Sequence, residues 1–243
     1  FGKKFLHLEE RKQALESPQD DEVVVEVRAC GVCGTDVNFV RDWDQDPMPL
    51  GHEISAEVVA VGQRVTTVKS GDQVIVEDCS MCGVCEHCKS GQPQFCREMF
   101  DLNGQPGLGD FLCVKHNSLN RYTDLDHTAA CLTEPLAVSV TSVLNAQIPL
   151  GGSVIVLGPG PLGLMSARVA KLYGAGYVAI TGLSGDRPRE RARLDRAAEC
   201  GCDDVFEVDQ CDLEAEVKKR FPKGVDRVIV SSPPESISDA LKV

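Results

Sequence analysis

The chain has 243 residues, 42% hydrophobic and 26% charged, which is enough for two ordinary domains with a core in each. Acidic residues outnumber Lys and Arg by 37 to 25, and the formal charge of −12 opposes non-specific attraction to nucleic acid or an anionic membrane. No apolar run approaches the roughly 20 residues that span a bilayer and the N-terminus lacks a signal-peptide pattern, so a cytoplasmic protein acting on small molecules is expected.

Short β-branched runs open the chain: Val23–Val27, Glu57–Val61, Gln73–Val76 and Phe111–Val114 read as strands separated by Gly and Asp turns. An apolar helical pattern covers Thr133–Leu144, and after Gly151-Gly152 the rhythm becomes strand, helix, strand. Ser153–Leu157, Tyr177–Thr181, Asp204–Glu207 and Asp226–Ser231 read as strands, with helices over Leu162–Tyr173, Arg189–Cys200 and Leu213–Arg220. The expectation is therefore an α/β chain: a β-rich domain over 1–137, with a cysteine-rich lobe at 79–97, then a doubly wound parallel-sheet domain over 138–243. Phe1 stands where an initiator Met would, and Val243 ends the chain within the strand and helix rhythm, so the second domain is expected to be incomplete at its C-terminus and segments to be missing.

Twelve cysteines crowded into clusters favour metal thiolates in a reducing compartment over disulfides. Cys82, Cys85, Cys88 and Cys96 form C-x2-C-x2-C-x7-C among Gly83, Gly91 and Pro93, in a stretch with few aliphatic residues to make a core. Four thiolates at that spacing can close a tetrahedron on Zn²⁺ and leave no open position, which makes the site structural; disulfides, a redox C-x-x-C or an iron–sulfur site are the competing readings. Cys79 is left over, and His87 is expected to face solvent.

Upstream, Cys33 lies in Cys30-Gly31-Val32-Cys33-Gly34-Thr35-Asp36 and His52 in Gly51-His52-Glu53. With Glu134 they offer sulfur, nitrogen and carboxylate oxygen, a mixed set suited to a zinc that keeps one position for substrate. Downstream, Gly158-Pro159-Gly160-Pro161-Leu162-Gly163 places glycines at G-x-G-x-x-G between an apolar strand and a helix. In that setting the first glycine serves the turn, the second lets a pyrophosphate approach, and the third lets helix and strand pack. No acid ends the following strand, where Thr181-Gly182-Leu183-Ser184 stands. Ser184, Arg187, Arg189 and Arg191 can hold a 2′-phosphate, giving a slight preference for NADP over NAD, while Asp186 remains able to reach a ribose hydroxyl. Trp43 and the acids Asp42, Asp44 and Asp46 are candidates for a substrate wall, with packed core and a solvated loop as the plainer readings.

Taken in order and spacing, the Cys30–Asp36 motif, Gly-His-Glu at 51–53, the cysteine lobe and the glycine loop resemble the zinc-dependent medium-chain dehydrogenases over nearly the whole chain. The resemblance implies a GroES-like catalytic domain followed by a Rossmann domain, a homodimer or homotetramer, and hydride transfer between an alcohol and NAD(P) in an interdomain cleft. On the matching residues it implies Cys33 and His52 as ligands of the catalytic zinc, and Glu53 or Glu134 as a further ligand or a hydrogen-bond partner of the metal's water. Thr35 matches the start of a proton relay, and Asp36 the acid that orients the zinc-bound imidazole. Glu134-Pro135, where simple alcohol dehydrogenases carry a cysteine, is similar to the sorbitol, glucose and threonine dehydrogenase side of the family. A catalytically inactive zinc- and nucleotide-binding relative is the alternative. The cysteine lobe disfavours the zinc-free quinone reductases, and the acidic charge disfavours a DNA-binding zinc finger.

Overall fold

The computed structural model describes residues 2–3, 7–12, 14–42, 46–101, 106–184 and 188–243. It divides into two compact units, Phe1–Glu134 and Pro135–Val243.

The first unit is built on a five-stranded antiparallel sheet. After the short pair β1 (Gly2–Lys3) and β2 (His7–Leu8) come β3 (Glu22–Gly31), helix α1 (Gly34–Asp42), β4 (Glu53–Val61) and β5 (Gln73–Val76). The cysteine-rich lobe follows, with β6 (Cys79–Ser80), α2 (Glu86–Lys89) and β7 (Phe100–Asp101), and then β8 (Phe111–Lys115), β9 (Leu119–Arg121) and α3 (His127–Ala130). The sheet order is β8-β3-β4-β5-β9. Its interior is Val23, Val25, Ile54, Ala56, Val58, Val74, Val76, Leu112 and Val114, each at most 1% exposed. On the area-based scale, each Val or Leu buried to that degree contributes about 1.5–3 kcal/mol.

Two strands are longer than their β-branched runs. β3 continues to Gly31 and β4 starts at Glu53 because the two pair antiparallel, Gly31 opposite Glu53 and Cys30 opposite Ile54. Pairing across the sheet overrides the weak strand preference of Glu, Ser and Ala. Its consequence is functional, since it brings the segments after Gly31 and before Glu53 to the same sheet end.

The second unit carries a parallel sheet. Helix α4 (Thr133–Ala146) leads into β10 (Ser153–Leu157), α5 (Pro161–Leu172), β11 (Tyr177–Gly182), α6 (Pro188–Asp195), β12 (Asp204–Glu207), α7 (Leu213–Arg220), β13 (Arg227–Val230) and α8 (Ile237–Ala240). The strand order is β12-β11-β10-β13, all parallel, the doubly wound arrangement in which the order reverses beside the first strand. Both faces are covered, which explains the unbroken apolar strands: Val154, Val156, Val178 and Ile180 join one core with α4 and α5, while Ile155, Leu157, Tyr177 and Ala179 join the other with α7. Helix α6 stops at Asp195, short of the expected Cys200, and residues 196–200 form turns.

One span among the described residues, His127–Ala146, is long and apolar enough by composition to cross a membrane, where the sequence reading expects none. Its Ala, Val and Leu content raises the mean hydropathy. The span breaks into α3 and α4 and is 28% buried: Ala130, Cys131, Pro135, Ser139 and Val143 lie in the fold, while Leu132, Leu136, Val138 and Leu144 are exposed.

Candidate metal centres and dinucleotide loop

In the lobe, the four sulfurs of Cys82, Cys85, Cys88 and Cys96 lie within 4.8 Å of one another, and Cys85 Sγ is 3.6 Å from Cys88 Sγ. Sulfurs at tetrahedral corners about 2.3 Å from Zn²⁺ are about 3.8 Å apart, whereas a disulfide needs about 2.05 Å. The set fits a zinc ion. The Cys82 N–H donates to Cys96 Sγ and the Cys85 N–H to Cys82 Sγ, both at 3.3 Å. The backbone N–H groups of Cys88 and Arg97 lower the Cys85 thiol to about 6, while burial and then the neighbouring Cys85 push Cys88 up to about 12. Thiols this close cannot all ionise without a cation between them. Cys79 is outside the group, and His87 is half-buried with its ring edge-on to Phe95 at 6.1 Å, a departure from the solvent-facing expectation.

A second group consists of Cys33, His52 and Glu53, with ligand atoms again within 4.8 Å of one another. Cys33 sits in the turn from β3 to α1, His52 directly precedes β4 and Glu53 opens it, so the antiparallel register makes the meeting. Glu53 is 8% exposed and reaches inward because residue 31 is glycine; a Cβ there would stand 2.0 Å from Glu53 Oε2. Burial raises the Glu53 carboxyl above the usual range, against the pull of His52 and a hydrogen bond with Cys33. Glu134 lies outside the 4.8 Å group. Its carboxyl is raised by burial, pulled down by His52 and raised further by Asp78 and Glu53, which puts it in the same electrostatic neighbourhood. Two acids held above their ordinary range beside a thiol and an imidazole form a set that a divalent cation would relieve. Burial, then Asp36, push the Cys30 thiol up to about 12, and Cys30 stands outside the Cys33, His52 and Glu53 group.

Asp36 is 3% exposed. Its Oδ2 accepts from the Cys33 N–H at 2.9 Å, the acid-to-N-cap half of a capping box, and its Oδ1 accepts from the Gly51 N–H at 2.8 Å. His52 Nδ1 is 3.9 Å from Oδ1, longer than a hydrogen bond. Thr35 is exposed on the first turn of α1. Asp42 and Asp46 are also exposed, while Trp43 and Asp44 lie outside the described residues.

In the second unit each loop glycine has a separate reason. Gly158 has φ +102°, and a Cβ on it would meet Ser232 Cβ at 2.9 Å. At Gly163 a Cβ would stand 1.9 Å from the Gly158 carbonyl. Gly160 has φ −69° and nothing within 4 Å of a built Cβ, so neither backbone nor packing demands glycine there. Open space in front of the free N–H groups of α5, where Pro161 takes the first position, is the cradle that a pyrophosphate would fill.

Just after β11, Ser184 is held by an acid the sequence reading missed: its N–H and Oγ donate to Asp209 at 2.7 and 2.6 Å. Arg191 pairs with Asp195 and Glu207, and Arg189 is exposed. Arg187 and Asp186 lie outside the described residues. Ser231 and Ser232 after β13 were also missed. Ser231 Oγ donates to the Leu157 carbonyl at 3.0 Å, behind the glycine loop. Parallel pairing of β13 with β10 places it there, and sequence spacing carries no sign of that.

Residues 19–124 match the alcohol dehydrogenase GroES-like domain and residues 161–243 match the zinc-binding dehydrogenase domain. An L-threonine 3-dehydrogenase of Bacillus velezensis is 32% identical over 239 residues, covering 93% of this chain and 67% of that protein. The chain belongs to the zinc-dependent medium-chain dehydrogenases. A sorbitol dehydrogenase of Halalkalibacterium halodurans is 36% identical over 225 residues, 89% of this chain and 64% of that one. The solved structure of a zinc-binding dehydrogenase from Sinorhizobium meliloti, bound to NADP, superimposes with a TM-score of 0.84 at 26% identity, covering 96% of this chain and 69% of its own. The GroES-like and Rossmann folds follow from these matches. The chain spans about three fifths of the length of the curated relatives it matches.

Proposed function

We propose that the protein is a zinc-dependent oxidoreductase that moves hydride between a secondary alcohol, of the polyol, sugar or hydroxy-amino-acid class, and NAD or NADP. The observation that carries this reading is the convergence of Cys33, His52 and Glu53, with Glu134 in the same field, in a chain that also presents open space at Gly160. Zinc bound at that group would supply a Lewis acid for the alcohol oxygen, and a nicotinamide would supply the hydride acceptor.

The chain's own residues account for the rest. Cys33 and His52 offer two ligands and either Glu53 or Glu134 a third, which leaves one direction for substrate oxygen. Asp36 fixes the backbones that carry the first two. The Thr35 hydroxyl, exposed beside Cys33, would pass the alcohol's proton toward solvent. Gly158, Gly160, Gly163 and the adjoining Pro159, Pro161 and Leu162 would seat the pyrophosphate. Ser184 and Arg189 would face the adenosine ribose; Arg189 and, by its place in the sequence, Arg187 favour NADP, and Asp209 on Ser184 opposes it. The four-cysteine lobe would hold a structural zinc. A cytoplasmic setting, where clustered metal-binding thiols stay reduced, and a homodimer or homotetramer complete the proposal.

Metal content and cofactor reduction measured on one preparation, with NAD⁺ and NADP⁺ in turn against polyols, aldoses and threonine, test it. About two zinc ions per chain and substrate-dependent reduction are expected. Full metal loading without turnover on any secondary alcohol would make the protein an inactive zinc- and nucleotide-binding relative.

A further inference from the structure

Behind the Cys33, His52 and Glu53 group lies a polar cluster with no part in the chemistry above. Ser55 Oγ is 2.7 Å from Tyr122 Oη and 3.0 Å from His127 Nδ1, and Tyr122 Oη is 2.6 Å from the same Nδ1. Ser55 is fully buried on β4, two residues past Glu53 and therefore on the same face of the strand. Tyr122 follows β9, its N–H donating to the Gln73 carbonyl of β5 at 3.1 Å. His127 is the first residue of α3, whose N-terminus is capped by Asp126 accepting from the Ala129 N–H at 2.9 Å. Three separate segments thus meet at one closed triangle.

We propose that Ser55, Tyr122 and His127 are positioning residues whose triangle locks α3 against β4 and thereby holds Glu134 toward His52 and Glu53. The proposal rests on the reading of that group as a metal centre. Ser55 is sealed from solvent and meets no substrate, so a nucleophilic role does not arise. In the tautomer with the proton on Nε2, Nδ1 accepts from the Tyr122 hydroxyl and the Ser55 hydroxyl donates to the Tyr122 oxygen, so each of the three groups has a partner within the triangle. Such bonds are directional. The apolar contacts of Ala130 and Cys131 beneath the same helix hold it in place without fixing its rotation.

The path from triangle to carboxylate is short. Helix α3 packs on β3 and β4, the buried Cys131 Sγ donates to the Thr128 carbonyl at 3.1 Å, and α4 starts at Thr133. Glu134 comes seven residues after His127, across the two-residue turn at 131–132 that joins α3 to α4. Cys131 also lies close enough to Glu53 for that carboxyl to raise its thiol, after the larger effect of burial, so the start of α4 is in register with the metal group on β4.

The test counts zinc per chain by native mass spectrometry under rising chelator, with thermal melts alongside, for wild type, Tyr122→Phe and Ser55→Ala. The zinc that Cys33→Ser removes should leave both variants at about tenfold lower chelator, the usual scale for losing a residue that orients a ligand. The zinc that Cys85→Ser removes should leave unchanged. Because the effect runs through Glu134, Tyr122→Phe should add nothing in a Glu134→Gln background. Wild-type retention of the Cys33-dependent zinc in both variants, whatever the melting temperature does, would overturn the proposal, as would a full additional loss on top of Glu134→Gln. A wild-type chain whose single zinc ignores Cys33→Ser would instead overturn the metal-centre reading beneath it.

Discussion

Asp36 accepts the Gly51 backbone N–H at 2.8 Å across fifteen residues of sequence while its other oxygen accepts from Cys33. One buried carboxylate thus fixes the spacing of the two loops that present Cys33 and His52. Asp36→Ala should lose two charge-assisted bonds, about 1.5–3 kcal/mol for each such contact, and leave both N–H groups without a partner. Zinc retention at the Cys33 group should fall about tenfold or more, measured by chelator competition, with the lobe zinc unaffected.

The two metal groups should separate by what their loss does. Cys85→Ser is expected to lower the melting temperature by several degrees, since the lobe has little apolar core to replace four thiolates. Cys33→Ser should leave the melt near wild type and abolish turnover. The reverse pattern in calorimetry and rate assays would exchange the two assignments.

Asp209 gives a cofactor test. Its carboxylate is 2.6 Å from Ser184 Oγ, and a 2′-phosphate beside Ser184 would meet a like charge. Asp209→Asn should raise kcat/KM with NADP⁺ relative to NAD⁺ about fivefold, the modest change expected for one solvent-screened charge contact. An unchanged ratio would place the ribose elsewhere.

What the sequence makes legible here is chemistry that resides in residue identity and spacing. Cys82, Cys85, Cys88 and Cys96 must be near one another because only two to seven residues separate neighbours, and the glycine loop declares itself by its position between strand and helix. Helix α1 is not legible, because Thr35, Asp36, Val37 and Asn38 are weak helix formers that the Asp36 cap and the fold hold in place. The start of β4 at Glu53 and the Ser55, Tyr122 and His127 triangle depend on partners across the sheet, up to 72 residues away in the triangle, and local pattern carries no trace of them. The two backbone N–H groups that Asp36 holds are illegible for the same reason, whereas the resemblance implies its place beside His52, whose Nδ1 lies 3.9 Å from Oδ1.

Asp226 supplies a pH dependence away from the metals. The Ser153 N–H and then its hydroxyl, both at 2.8 Å, hold the Asp226 carboxyl below its ordinary value and tie the starts of β10 and β13. A depressed folded-state pKa means that this contribution is fully present above the unfolded value near 3.8 and is lost as pH falls through the lower folded one. Acid unfolding of Asp226→Asn, followed by circular dichroism, should be shallower below pH 4 than that of wild type. Equal slopes would remove Asp226 from the acid response.

The glycine loop offers a way to tell packing from ligand binding within six residues. At Gly163 an added methyl would stand 1.9 Å from the Gly158 carbonyl, so Gly163→Ala has to move α5 away from β10 and should destabilise the unit by about 1–3 kcal/mol, the usual cost of overpacking. At Gly160, with φ −69° and open space ahead, the same change meets no protein atom and removes unfolded-state freedom, so Gly160→Ala should hold or raise stability by about 0.4–1 kcal/mol. If the open space is where a pyrophosphate lies, that stabilised variant should nonetheless bind the dinucleotide about tenfold more weakly, a difference of about 1.4 kcal/mol in titration calorimetry. Unchanged dinucleotide affinity in Gly160→Ala would mean that the loop, despite its glycines, does not carry the phosphate.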